Sequence, residues 1–152
     1  MIIKGSAEMA YTRILVAYDG SEIGEKALVY GIQLAQLNRD AHLHVVHAVT
    51  VPHIFTVSEY RHADKIREEI MEHGKDILNG ASERLSLLRD TRYQVAIVEG
   101  KPADEILMYA REQKCDLILM GSRGLNNVQE LFLGSVSHEV AQRSAVPVMI
   151  IK

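Results

Sequence analysis

Short apolar runs alternate with amphipathic helical stretches along this chain, and that alternation constrains its fold more than any other feature. The run Ile14-Leu15-Val16-Ala17 is followed by a turn at Asp19-Gly20-Ser21 and by a helical stretch that ends near Asn38. Repetition of this unit predicts five strands with four intervening helices. Such alternation is typical of a parallel sheet with helices on both faces and right-handed crossovers.

The other elements are predicted from the same periodicities. The later strands are expected at about His42 to Val49, at Tyr93 to Val98, at Leu117 to Met120 and at Val146 to Ile151. The later helices are a long one with apolar residues from Ile66 to Leu88, one that opens at Pro102, and one from Ser135 to Ser144. The predicted fold class is therefore a single α/β domain of three layers, with five parallel strands in the order 3-2-1-4-5.

A glycine-rich segment separates the fourth strand from the last helix. Gly121, Gly124 and Gly134 lie in it, and Ser135 and Ser137 open the helix. The first turn of a helix offers unpaired backbone N–H groups, and glycine lets an anion approach the backbone closely. The segment therefore predicts a phosphate site to which both hydroxyls could donate. Alternatively, the glycines only turn the chain and the serines only cap the helix.

Asp19 is expected to lie beside this segment. It ends strand one as Gly121 ends strand four, and in the predicted strand order the winding direction reverses between those strands, where ligands bind in open α/β sheets. Asp19 could bind ribose hydroxyls or a divalent ion on phosphates, or it could serve only the turn, with Ser21 as the helix cap. Arg123 could neutralise phosphate charge or stay solvated.

Two common nucleotide motifs do not fit. A P-loop would need Lys and then Ser or Thr after its second glycine, whereas Leu125-Asn126 follows Gly124 here. The dinucleotide fingerprint would place its glycines at the first strand-to-helix turn, which reads Asp19-Gly20-Ser21-Glu22. NAD and FAD are therefore not expected.

Composition argues against several other functions. A net charge of -3 without a basic stripe gives no reason to expect nucleic-acid binding. No apolar stretch is long enough for a membrane span or a signal peptide. The single cysteine, Cys115, is expected to be a packed thiol and fits a reducing compartment. We therefore expect a cytoplasmic protein that contacts neither membrane nor nucleic acid.

Three histidines in the second strand raise the question of a metal site. Strand alternation places His42 and His44 on one face and His47 on the other. Two histidines on one face could share a metal with a third ligand, but no cysteine or carboxylate has matching spacing nearby. A histidine metal site is therefore not expected.

The glycine segment resembles the nucleotide signature of the universal stress protein family, in its ATP-binding branch. Gly121, Gly124, Gly134 and Ser135 match the pattern of Gly, two residues, Gly, nine residues, Gly and Ser or Thr. The resemblance runs from about residue 12 to residue 152 and leaves residues 1–11 as an N-terminal extension. The other matching motifs are Ala17-Tyr18-Asp19-Gly20-Ser21, His47-Ala48-Val49, Gly100-Lys101-Pro102 and Pro147-Val148-Met149-Ile150-Ile151.

The resemblance implies a Rossmann-like domain that binds ATP together with Mg²⁺ or Mn²⁺. Adenine would lie near Ala48, ribose near Asp19, and the phosphates over the glycine segment, with Asp19 as the candidate metal ligand. The contact residues implied are Ala17, Asp19, Ala48, Met120, Gly121, Arg123, Gly124, Gly134, Ser135, Val136 and Ser137.

The resemblance also implies a homodimer through the last strand, Val146 to Ile151. This strand would be a sheet edge that presents unpaired backbone groups and apolar side chains. Pro147 near its beginning is compatible with an edge, and antiparallel pairing of two copies would cover both edges by two-fold symmetry.

The function expected is a dimeric regulatory module of the stress response that signals bound ATP to other proteins. Asp19 could orient a water for slow ATP hydrolysis, but no second group is identifiable as its base, and no triad or nucleophile elbow is evident. Two alternatives stay open. One is an ATP-using enzyme, a slow ATPase or an adenylyl transferase, and the other is a stress scaffold that binds no nucleotide.

Overall fold

The computed structural model of the chain describes residues 11–52, 60–123 and 133–152. Strands and helices alternate through these ranges as β1 (Arg13–Ala17), α1 (Glu22–Gln36), β2 (His42–Val49), α2 (Tyr60–Ser86), β3 (Arg92–Glu99), α3 (Pro102–Glu112), β4 (Leu117–Gly121), α4 (Ser135–Arg143) and β5 (Val148–Ile151). Every neighbouring pair of strands is parallel, and the order is β3-β2-β1-β4-β5. The predicted fold class and strand order are confirmed.

Apolar side chains cover both faces of the sheet, as a parallel sheet requires. On one face, Ile14 and Val16 of β1 are buried beneath α1 and α2. On the other face, Leu15 of β1 and Ile118 of β4 are buried beneath α3 and α4. Each such side chain contributes roughly 1.5–3 kcal/mol when it is removed from water. The central strands therefore fix the three layers.

The last strand begins at Val148, two residues later than the predicted Val146. The Ser144 hydroxyl donates to Val146 O at 2.8 Å and accepts from Val146 N at 3.2 Å, which closes a local turn. Pro147 follows this turn and has no N–H to give to a ladder. The edge strand predicted at Val146 to Ile151 is therefore Val148–Ile151.

None of the helices in the described ranges is long and apolar enough to cross a membrane.

Candidate functional site

A cavity of about 550 Å³ lies at the ends of β1 and β4, where the chain turns to opposite faces of the sheet. The predicted site residues in the described ranges all line it, although they come from four separate segments. They are Ala17, Asp19, Ala48, Met120, Gly121, Arg123, Gly134, Ser135, Val136 and Ser137. Gly124, the remaining predicted residue, lies outside the described residues.

Helix α4 opens onto the cavity without a side-chain cap. Its N-cap is Gly134, in extended conformation, and no side chain caps the first turn. Helix α1 differs, because the Ser21 hydroxyl accepts from Gly24 N at 3.0 Å. The first N–H groups of a helix have no partner within it, and the helix dipole is positive there. The start of α4 is therefore available to an anion.

The Ser137 hydroxyl has a role that the sequence analysis missed. It is buried and lies 2.8 Å from Ser122 O and 2.9 Å from Gly134 O, so it donates its proton inside the glycine segment. Gly134 N also donates to Ser122 O, at 2.7 Å. These bonds fasten the end of β4 to the start of α4. Ser135 is exposed and lines the cavity.

Asp19 shapes the turn between β1 and α1 with one of its carboxylate oxygens. Its Oδ1 accepts from Ser21 N at 3.0 Å and from Ser21 Oγ at 2.6 Å. No hydrogen-bond donor in the described ranges reaches its Oδ2. Gly20 precedes the cap with a φ of +76°, a left-handed conformation that favours glycine. The carboxylate thus supports the turn and keeps an oxygen for a ligand.

Two further lining residues, Tyr18 and His47, form hydrogen bonds that fix the backbone just after the end of β1. His47 Nδ1 lies 2.8 Å from Tyr18 O, so this nitrogen carries the proton and donates to the carbonyl. The Tyr18 hydroxyl donates to Glu25 of α1, and burial together with that bond raises the pKa of Tyr18. Both residues adjoin predicted ones, Ala17 and Ala48, and that adjacency could have identified them.

The other lining residues that the sequence analysis missed are all apolar, and two of them belong to α3. They are Val46, Pro102, Ile106 and Leu133. Pro102 lies in the first turn of α3, as the sequence predicts, but no local sequence pattern assigns α3 to the site. One end of the cavity is therefore polar, and its walls are largely apolar.

An ion-pair network joins α3 to α4 beside the cavity. Lys101 Nζ lies 2.7 Å from Glu139 Oε1, and one Arg143 nitrogen lies 2.6 Å from both Glu139 and Asp104. Hydrogen bonds from Lys101 and Arg143 lower the pKa of Glu139, and a hydrogen bond from Arg143 lowers that of Asp104. Single exposed ion pairs stabilise little. This network of several pairs links α3 and α4, the two helices whose first turns border the cavity.

Metal-binding groups are sparse in the described part of the chain, where no three His, Cys, Asp or Glu side chains are placed to hold an ion. Asp19 offers one carboxylate, so a divalent ion there would need oxygens from phosphates as well. The rings of His42 and His44 are tilted by 35° with their centroids 4.6 Å apart, on the face covered by α3. His47 belongs to the opposite face, as the alternation predicted.

Comparison with known proteins gave consistent matches. The sequence model that describes the universal stress protein family matches residues 10–152. The universal stress protein YxiE of Bacillus subtilis is 36% identical over 149 residues, which cover 93% of this chain and 99% of that protein. The structure of MJ0577 from Methanocaldococcus jannaschii has a TM-score of 0.82 at 26% identity and covers 95% and 97% of the two chains. A universal stress protein solved in complex with cAMP has a TM-score of 0.58 at 27% identity and covers 93% and 96%.

Proposed function

This chain belongs to the universal stress protein family, and from that premise we propose that it binds ATP as a dimeric regulatory protein of the stress response. One observation carries the proposal. A single cavity of about 550 Å³ gathers the predicted residues of four segments beside an uncapped helix start. That volume is in the range of small-molecule sites. The cAMP complex of a relative supports an adenine nucleotide as the ligand class.

We assign each part of the nucleotide to a different part of the cavity. The apolar walls near Ala48 and Ile106 suit adenine, and Asp19 Oδ2 can accept a hydrogen bond from a ribose hydroxyl. The first-turn N–H groups of α4 and the Ser135 hydroxyl can donate to phosphate oxygens, and Arg123 adds positive charge.

Mg²⁺ or Mn²⁺ would offset the charge of the phosphates, with Asp19 as the protein ligand. A single carboxylate is a weak site for such an ion, whereas oxygens from the phosphates would complete the ligand set. We therefore expect metal binding to depend on bound ATP. Titration of Mn²⁺ with and without ATP tests this point.

The proposal is tested by native mass spectrometry of freshly purified protein, followed by titration with ATP and Mg²⁺. We expect a dimer with one adenine nucleotide per subunit. A dimer that neither carries nor takes up ATP would overturn the nucleotide proposal and favour the scaffold. Rapid multiple turnover of ATP in the same sample would favour the ATP-using enzyme over the regulatory protein.

A further inference from the structure

A second cavity of about 550 Å³ lies between the C-terminal half of α3 and the end of α4. It shares no lining residue with the first cavity in the described ranges. Its lining includes a set of apolar side chains, namely Leu107, Ala110, Cys115, Ile118 and Val146. Burial raises the pKa of the Cys115 thiol to about 11, so this group is neutral at physiological pH. The cavity can therefore take an apolar molecular body.

The charged lining residues of this cavity are mostly cationic. Arg111, Lys114 and Arg143 line it together with a single acid among the described residues, Asp104. Arg143 is paired with Asp104 and with Glu139. For Arg111 and Lys114, no carboxylate of the described residues lies within the 4.0 Å of a salt bridge. Both side chains are exposed, so their charges are available to an anionic group at this cavity.

Lys114 occupies a position where glycine would be less strained. Its φ is +53°, and it is the one residue other than glycine with a positive φ in the described ranges. It follows the end of α3, where Lys114 N donates to Arg111 O at 3.1 Å and Cys115 N donates to Ala110 O at 2.8 Å. Glycine is the usual residue in such a helix ending. Lys114 thus places a long cationic side chain at the cavity, in a position where glycine would be less strained.

We propose that this second cavity binds a small organic anion with an apolar body, such as an aromatic carboxylate. The apolar part lies against Ile118 and Val146, and the acidic group lies between Arg111 and Lys114. An ammonium and a guanidinium together suit one carboxylate or sulfonate.

The test uses the full chain and two dyes with the same ring systems, 1-anilinonaphthalene-8-sulfonate and the uncharged N-phenyl-1-naphthylamine. Titrations are followed by NMR of the ¹⁵N-labelled protein. We expect the sulfonate dye to shift the amide signals of Ala110, Cys115 and Val146, and to bind at least tenfold more tightly than the uncharged dye. Equal affinity for both dyes, or shifts confined to Ala17 and Gly121 of the first cavity, would overturn the proposal.

Lys114→Gly separates the ligand role of the side chain from folding. The substitution removes the ammonium and relieves the left-handed backbone, so we expect a higher melting temperature and at least fivefold weaker binding of the sulfonate dye. Lys75→Ala on α2 removes the same charge from an exposed residue and should leave dye affinity unchanged. Dye binding by Lys114→Gly equal to that of the wild type, with the fold intact, would overturn the role of this lysine.

Discussion

One carboxylate oxygen of Asp19 supports the turn before α1, and we propose that the other binds the ligand. A substitution can separate these two roles. Asp19→Asn keeps an Oδ1 acceptor for Ser21 but replaces Oδ2 with an NH₂ group, which cannot accept from a ribose hydroxyl. We expect ATP affinity to fall at least tenfold, about 1.4 kcal/mol, with the dimer retained. Isothermal titration calorimetry with ATP and Mg²⁺ measures this change.

Ser21→Ala is the matched control at the same turn. It removes the cap of α1 and should lower the free energy of unfolding by about 1 kcal/mol while ATP affinity stays within twofold. If Ser21→Ala weakened ATP binding as much as Asp19→Asn, the carboxylate would be needed only to shape the turn.

His44 is a buried group whose titration should make stability depend on pH. Its Nδ1 lies 3.1 Å from the Tyr109 hydroxyl, and its Nε2 has no hydrogen-bond partner among the described residues. Burial, and then the neighbouring His42 and Arg13, lower the pKa of His44 to about 4. An unfolded histidine titrates near 6.5, so the unfolded chain binds this proton more tightly than the folded one.

Stability should therefore fall as the pH drops from 6.5 toward 4. The loss from His44 should be on the order of 3 kcal/mol, since each pKa unit corresponds to about 1.4 kcal/mol. His44→Phe should flatten the curve in this window, whereas His73→Phe, at an exposed position on α2, should not. Urea unfolding at a series of pH values measures the difference, and parallel curves for wild type and His44→Phe would exclude this origin.

Among the elements, helix α4 lacks a side-chain N-cap, and a substitution can introduce one. Gly134→Asp would cap the first turn and place a negative charge where we propose the phosphates. We expect ATP affinity at least tenfold below that of Gly134→Ala, with stability about 1 kcal/mol above it. Calorimetric titration and urea unfolding of both variants give the two quantities.

Gly134→Ala is needed because the position is tight. A Cβ there would lie 3.3 Å from Ser122 O and 3.4 Å from the Arg123 Cα, so alanine supplies the added Cβ without a capping group or a charge. Equal ATP affinity of the two variants would show that the start of α4 does not face an anion.

Local sequence patterns predicted the elements, but contacts between distant segments decided parts of the site. The apolar run of β1 and the spacing in α1 are local signals, and they placed both elements correctly. The bond from Ser137 to Ser122 O joins residues that are 15 apart, and no spacing rule identifies it. Ile106 reaches the cavity because α3 packs beside α4, which depends on the tertiary fold. The left-handed Lys114 was missed because no glycine marks the end of α3.

For the whole molecule, the free edge at β5 determines which backbone groups a second copy could pair with. Ile118 N donates to Pro147 O at 3.0 Å, and Ser122 N donates to Ile151 O at 2.7 Å, so these carbonyls face β4. Backbone groups alternate in direction along a strand. Val148 and Ile150 therefore direct their N–H and C=O groups outward, away from the sheet.

This geometry allows a substitution that blocks pairing between copies and preserves the sheet within each copy. Ile150→Pro removes an outward N–H but no hydrogen bond to β4, so we expect a folded monomer in analytical ultracentrifugation. Ile150→Ala loses similar packing of the side chain but keeps the N–H, and it should remain a dimer. A dimer that persists in Ile150→Pro would place the contact elsewhere, because antiparallel pairing of two β5 strands needs that donor on both copies.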